Sequence, residues 1–124
     1  MMSKKYIFKK INNQIIGKVD DYIERNRQKN ILFNDFILKI SPLGEMFIVG
    51  GVIRDISINK TPNDIDLIID TPKNNLKPLL DIYEHSLNRF GGYRFKLNKM
   101  TIDLWPMQDH WIFKKNPLKH SMIF

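Results

Sequence analysis

Asp64 and Asp66 stand two residues apart in the run Asn63-Asp64-Ile65-Asp66-Leu67-Ile68-Ile69-Asp70. In an extended strand, the two-residue period puts both carboxylates on one face and Ile65, Leu67 and Ile69 on the other. Carboxylates held that close repel one another unless a cation lies between them. A hard divalent ion such as Mg²⁺ takes oxygen ligands of this kind. A half-buried edge strand with a solvated acidic face shows the same pattern, so the pair alone leaves both readings open. Asp70, just before Thr71-Pro72, reads as a turn or helix-capping residue.

A second chemical corner lies upstream. Met46-Phe47-Ile48-Val49 is an apolar run with glycines at 44 and 50, consistent with a buried strand. Gly50-Gly51 follows, and apolar residues at 52, 53, 56 and 58 then suit a short helix packed on a sheet. A strand, two glycines and a helix start leave backbone N–H groups uncovered at a positive helix end, where a phosphate can approach. Glycine allows the approach because it has no Cβ. The same dipeptide also makes an ordinary tight turn. The spacing adds the specificity: twelve residues separate Gly51 from Asp64, enough for a short helix and a turn at Asn59-Lys60-Thr61-Pro62. A strand–helix–strand unit this short is expected to return Asp64 and Asp66 to the glycine corner, where metal and triphosphate would meet.

Gly50-Gly51-Val52-Ile53-Arg54-Asp55 followed by Asp64-Ile65-Asp66-Leu67 resembles the signature of the nucleotidyltransferase superfamily. It is most like the head domain of bacterial poly(A) polymerases and CCA-adding tRNA nucleotidyltransferases. The resemblance is strong over 45–70 and looser over 71–105. It implies a polymerase β-like palm core and a third carboxylate on a later strand. Phe90–Leu97 reads as a turn and then a strand, Asn98-Lys99 as a hairpin turn, and Met100–Trp105 as the partner strand. Alternation there groups Asp103 with Thr101 and Trp105, opposite Ile102 and Leu104. An Asp among apolar neighbours is costly unless something charged compensates it; an edge-strand Asp facing water is the alternative.

The resemblance thus assigns Asp64, Asp66 and Asp103 as catalytic carboxylates and ligands of two Mg²⁺ ions, with Mn²⁺ as a substitute. Gly50, Gly51, Arg54 and Asp55 become the nucleotide-binding corner. Arg54 either meets the triphosphate and braces Asp55 or makes an ordinary salt bridge at the helix start. In the implied reaction an acceptor hydroxyl attacks the α-phosphate of a nucleoside triphosphate such as ATP, and pyrophosphate leaves. Such chemistry rests on positioning and charge neutralisation, so the absence of cysteine and of a serine triad costs nothing.

The elements that must carry these residues place the chain in the α/β (α+β) class, a small mixed sheet with flanking helices. Apolar residues at 11, 15, 16, 19, 22 and 23 form a helical stripe within Lys10–Lys29, and Ile31–Ile40 reads as a second helix. Asn75–Phe90 reads as one amphipathic helix with Leu79, Leu80, Ile82, Tyr83 and Leu87 inward, and Met107–Lys115 as a final helical turn or two. The 124 residues are expected to form one minimal domain: a helical segment 10–40, a catalytic core 45–105 and a C-terminal segment 106–124.

Composition bounds the partners. There is no cysteine, which excludes a disulfide framework and a thiolate zinc site. His85, His110 and His120 lack metal-ligand spacing and read as surface or packing residues. No apolar segment reaches membrane-spanning length, and Met1–Lys10 lacks the apolar core of a signal peptide, so a cytoplasmic protein with no membrane partner is expected. The net charge of +7, with basic residues at both ends, fits a polyanionic acceptor. A lysine-loaded surface from an AT-rich genome gives the same charge. Tyr93, Phe95, Trp105, Trp111 and Phe113 could stack bases, although Phe95 and Trp111 read better as core.

The family continues after the third carboxylate into an arginine-rich segment and further helical domains; this chain instead has Leu104-Trp105-Pro106-Met107-Gln108-Asp109-His110. The expectation is therefore a stand-alone transferase, of toxin or defence type, or a catalytic subunit whose acceptor is bound by a partner chain or oligomer. Met122-Ile123-Phe124 would suit such docking, or folding back on the core. The leading acceptor is an RNA (tRNA-like) 3′ end, as in tRNA processing. Nucleotidylation of a protein or small molecule is the alternative, and a non-catalytic RNA-binding relative the third class.

Overall fold

A computed structural model describes residues 5–6, 13–62, 64–88, 91–107 and 121–123. The elements run β1 (Lys5–Tyr6), α1 (Asn13–Lys29), α2 (Ile31–Ile40), a 3₁₀ turn (Ser41–Leu43), β2 (Met46–Val49) and α3 (Gly51–Ser57). There follow β3 (Asp64–Ile69), a 3₁₀ turn (Lys73–Leu76), α4 (Lys77–Ile82), β4 (His85–Leu87), β5 (Tyr93–Leu97), β6 (Met100–Pro106) and β7 (Ser121–Ile123). The strands form one mixed sheet in the order β1-β7-β2-β3-β6-β5-β4. Among the described residues only the β3–β6 pairing is parallel. No helix among the described residues is long and apolar enough to cross a membrane.

The helices cover one face of the sheet. Val19 and Ile23 of α1 and Phe33, Phe36, Ile37 and Ile40 of α2 join Ile48, Ile65, Leu67, Phe95, Ile102 and Leu104 in the main core. Alternation sends the opposite-facing residues to a second, smaller cluster of Phe47, Val49, Ile68 and Trp105. Gly92 permits this packing, because a Cβ there would overlap the Trp105 indole. The carboxylates occupy the rest of that second face.

Asn30 fixes α2 on the sheet. Asn30 caps α2, accepting from Phe33 N at 3.2 Å, and donates to Leu97 O at 2.9 Å. Its Oδ1 also receives Asn98 Nδ2 at 2.9 Å, so one buried amide ties α2 to the β5–β6 turn. Asn98 holds that turn at φ 59°, a left-handed conformation that Asn tolerates.

The segment 75–90 differs from its reading as one helix. Helix α4 stops at Ile82, Tyr83 turns extended (φ −109°, ψ 144°), and His85–Leu87 pairs antiparallel with β5. Tyr83 is buried against Phe36 and Phe95, and its hydroxyl donates to Asp35. Ile82 and Leu87, expected inward, are 56% and 71% exposed. The aromatic anchor breaks the helix because its buried contacts outweigh the modest helix propensity of the residues that follow. At the other end of the chain, Ser121–Ile123 folds back as β7 between β1 and β2. Of the final helical turns expected over Met107–Lys115, all but Met107 lies outside the described residues.

Candidate active site

Strand β2 delivers the glycine corner and β3 runs back antiparallel beside it, with Val49 opposite Asp66. Gly50 adopts φ 71°, and a Cβ added there would lie 3.3 Å from Asp66 Oδ2. The short return between β2 and β3 therefore does what its length implies. On the other side, β6 pairs parallel with β3 and sets Asp103 level with Asp66 and Thr101 level with Asp64. Asp64, Asp66 and Asp103 share one cavity of about 510 Å³ with Gly51, Arg54 and Asp55. All seven residues singled out from the sequence thus meet at one end of the sheet.

Burial is graded across the three carboxylates. Asp64 is exposed, Asp66 half-buried and Asp103 buried at 5% exposure. Strand β6 is central, so the edge-strand alternative for Asp103 does not hold. The Asp66 pKa is pushed up to about 6, chiefly by burial, then by the negative charges of Asp103 and Asp64. Arg94 offsets part of this, while a hydrogen bond with Asp103 favours the protonated form further. Arg54 is an exposed side chain whose Nε lies 3.6 Å from Asp55 Oδ1, which is a loose surface pair.

Arg94 belongs to no motif singled out in the sequence, yet it completes the group. It faces Asp103 across the β5–β6 ladder and clamps it, with Nε to Oδ1 at 3.0 Å and Nη2 to Oδ2 at 3.1 Å. The hairpin turn at Asn98-Lys99 contains the signal. Counting outward from it pairs 97 with 100 and then, three rungs on, 94 with 103. Tyr22 is a second residue that the motifs do not reach. From α1 its buried hydroxyl donates to Pro62 O at 2.7 Å, bracing the approach to Asp64. Burial, and then the Asp64 charge, push the Tyr22 hydroxyl up to about 12.

The carboxylates suit a hard cation by donor type; burial first, and then repulsion that Arg94 offsets only in part, raises the Asp66 value. Among the described residues, however, no three acidic or histidine groups are already gathered to hold an ion. The two oxygens of Asp103 are turned to Arg94 instead. Of the aromatics considered for base stacking, Tyr93, Phe95 and Trp105 are all buried and serve packing; Trp111 and Phe113 lie outside the described residues.

Comparison with known proteins places this geometry. No curated protein matches the chain. Among solved structures, a CCA-adding enzyme complexed with CTP superposes with a TM-score of 0.53 at 17% identity, covering 73% of this chain and 24% of that one. A CCA-adding enzyme complexed with ATP gives 0.50 at 11% identity, covering 95% and 27%. These likenesses show the fold, and the chain spans about a quarter of the length of each structure. The "Poly A polymerase head domain" family matches residues 46–115, from the first strand of the site past its third carboxylate. With more than half of its length matched, the chain belongs to the poly A polymerase head-domain family of nucleotidyltransferases.

Proposed function

We propose that this chain moves a nucleoside monophosphate from a nucleoside triphosphate to an acceptor hydroxyl, with an RNA 3′ end as the acceptor. The observation that carries the reading is the placement of Asp66, which sits against the Gly50 corner on one side and level with Asp103 on the other. Asp64, Asp66 and Asp103 would hold the divalent ions, Mg²⁺ by donor chemistry. Bound there, the metal supplies charge neutralisation for the triphosphate and a lowered pKa for the attacking hydroxyl.

The chain's own residues have separable tasks. Gly50 and Gly51 let phosphate oxygens approach the backbone where any side chain would intrude. Asp66 must be deprotonated to act as a ligand, so a cation competes with its proton below about pH 6. Arg94 keeps Asp103 in place and its charge compensated in the absence of metal. Arg54, exposed at the cavity, is free to reach a triphosphate at the cost of only a surface pair. The retention of three convergent carboxylates speaks against a non-catalytic relative.

The test uses Mg²⁺, each α-labelled nucleoside triphosphate, and total cellular RNA and protein. Label is expected in RNA 3′ ends with the native protein and not with the Asp64→Ala, Asp66→Ala variant. Label confined to protein would move the acceptor to a protein hydroxyl. No variant-sensitive label in either acceptor would refute transferase activity.

A further inference from the structure

A second, larger depression of about 1240 Å³ adjoins the carboxylate cavity, and the two share Thr61 and Pro62 as lining residues. It runs between α1, the end of α3 and the β5–β6 turn. Five cations line it: Lys18, Arg25, Lys29, Lys60 and Lys99. None of the five pairs with a carboxylate among the described residues. Lys18 donates to the neutral Asn59 side chain and Arg25 to a backbone carbonyl. Of the two acids in the groove, Glu24 is engaged by Arg27 from outside it, at 3.5 Å. Asp21 is the other acid, so the described lining sets five cations against two carboxylates, a surplus of positive charge beside a negative catalytic centre.

From this we infer that the groove carries the phosphate backbone of the RNA acceptor strand and delivers its 3′ end past Thr61-Pro62 to the carboxylates. The inference rests on the RNA reading above and adds where the strand lies. The charge pattern sorts the two polyanions: the triphosphate requires the carboxylates and their cation, whereas a phosphate chain requires cations alone. The lining also states how RNA is held. Among the described lining residues the only aromatic, Tyr22, is buried and spends its hydroxyl on Pro62, so that lining offers no ring for base stacking. Contact is accordingly with backbone, and binding is independent of sequence.

The experiment measures fluorescence anisotropy of a labelled single-stranded RNA across a salt series. It compares the native chain, a Lys60→Gln, Lys99→Gln variant, an Arg25→Gln, Lys29→Gln variant, and Lys39→Gln as a control from outside the groove. Each pair of substitutions is expected to weaken binding at least about fivefold and to lower the salt slope by about 0.7 for every phosphate left without its cation. Lys39→Gln should bind as the native chain does, with unchanged melting temperatures showing that all variants fold. Native-like RNA binding by both groove variants, or no RNA binding by the native chain, overturns the inference. So does displacement of RNA by polyglutamate at equal charge concentration, which would mark an acidic-protein surface. The label-transfer assay separates the two readings. Transfer to RNA with unaffected groove variants leaves the activity standing without the groove, and groove-dependent binding without transfer does the reverse.

Discussion

Asp66 concentrates the electrostatics of the site in one carboxyl group. Its folded-state value of about 6 lies above the ordinary 3.8, so the folded chain binds its proton more tightly than the unfolded chain does. Between about pH 4 and pH 6 that difference is lost, and the metal-free protein should lose stability as pH rises through this window. The expected contribution is about 1–2 kcal/mol, reduced from the full conversion because the group is partly solvated. Chemical denaturation of native and Asp66→Asn proteins across pH 4–7 isolates it: the substitution should flatten the difference, and Mg²⁺ should offset the loss in the native chain alone. Arg94 gives a complementary expectation. Arg94→Met strips the buried Asp103 of its bidentate partner, and should cost about 2–3 kcal/mol in metal-free buffer. Part of that loss should return on adding Mg²⁺, because another cation then serves Asp103. Thermal unfolding with and without Mg²⁺ measures both.

Among the elements, the turns and caps that aim the strands are the sensitive points. Gly50→Ala forces a Cβ into a left-handed conformation and against Asp66, at an expected cost of about 1–2 kcal/mol in thermal unfolding. Weakened triphosphate binding by equilibrium titration should accompany it. Asn30→Ala removes a helix cap and the tie to the β5–β6 turn together, and should cost about 2 kcal/mol without changing nucleotide affinity. The β2–α3–β3 unit and the β5–β6 hairpin are legible in the sequence because their signals are local: a glycine pair, alternating strands and a two-residue turn. Arg94 is harder to read although the same turn sets its register, because a lone arginine on a strand looks like surface charge until its rung is matched to Asp103. Strand β4 leaves no such signal. His85-Ser86-Leu87 is exposed throughout at the sheet edge, so no buried alternation marks it, and the Tyr83 contacts that end α4 come from residues far away in sequence.

At the scale of the whole molecule, the sheet brings together groups that no local pattern connects. Helix α1 reaches the loop before Asp64 through Tyr22, and β7 pairs with β2 from the far end of the chain. Periodicity locates the helix and the apolar end but cannot say where either will dock, since those contacts span tens of residues. The two faces of the sheet then divide the labour. One is buried under helices, and the other carries the carboxylate site with its small apolar cluster. Whether those carboxylates form a cation site can be measured without knowing the acceptor. The measurement is Mn²⁺ binding, followed by electron paramagnetic resonance in the presence of a non-hydrolysable nucleoside triphosphate. It compares the native chain with Asp64→Ala, Asp66→Ala. Saturable binding by the native chain, strengthening as pH rises through about 6 and abolished in the variant, is the expected result. Binding that is absent from the native chain, or unchanged in the variant, would contradict the account.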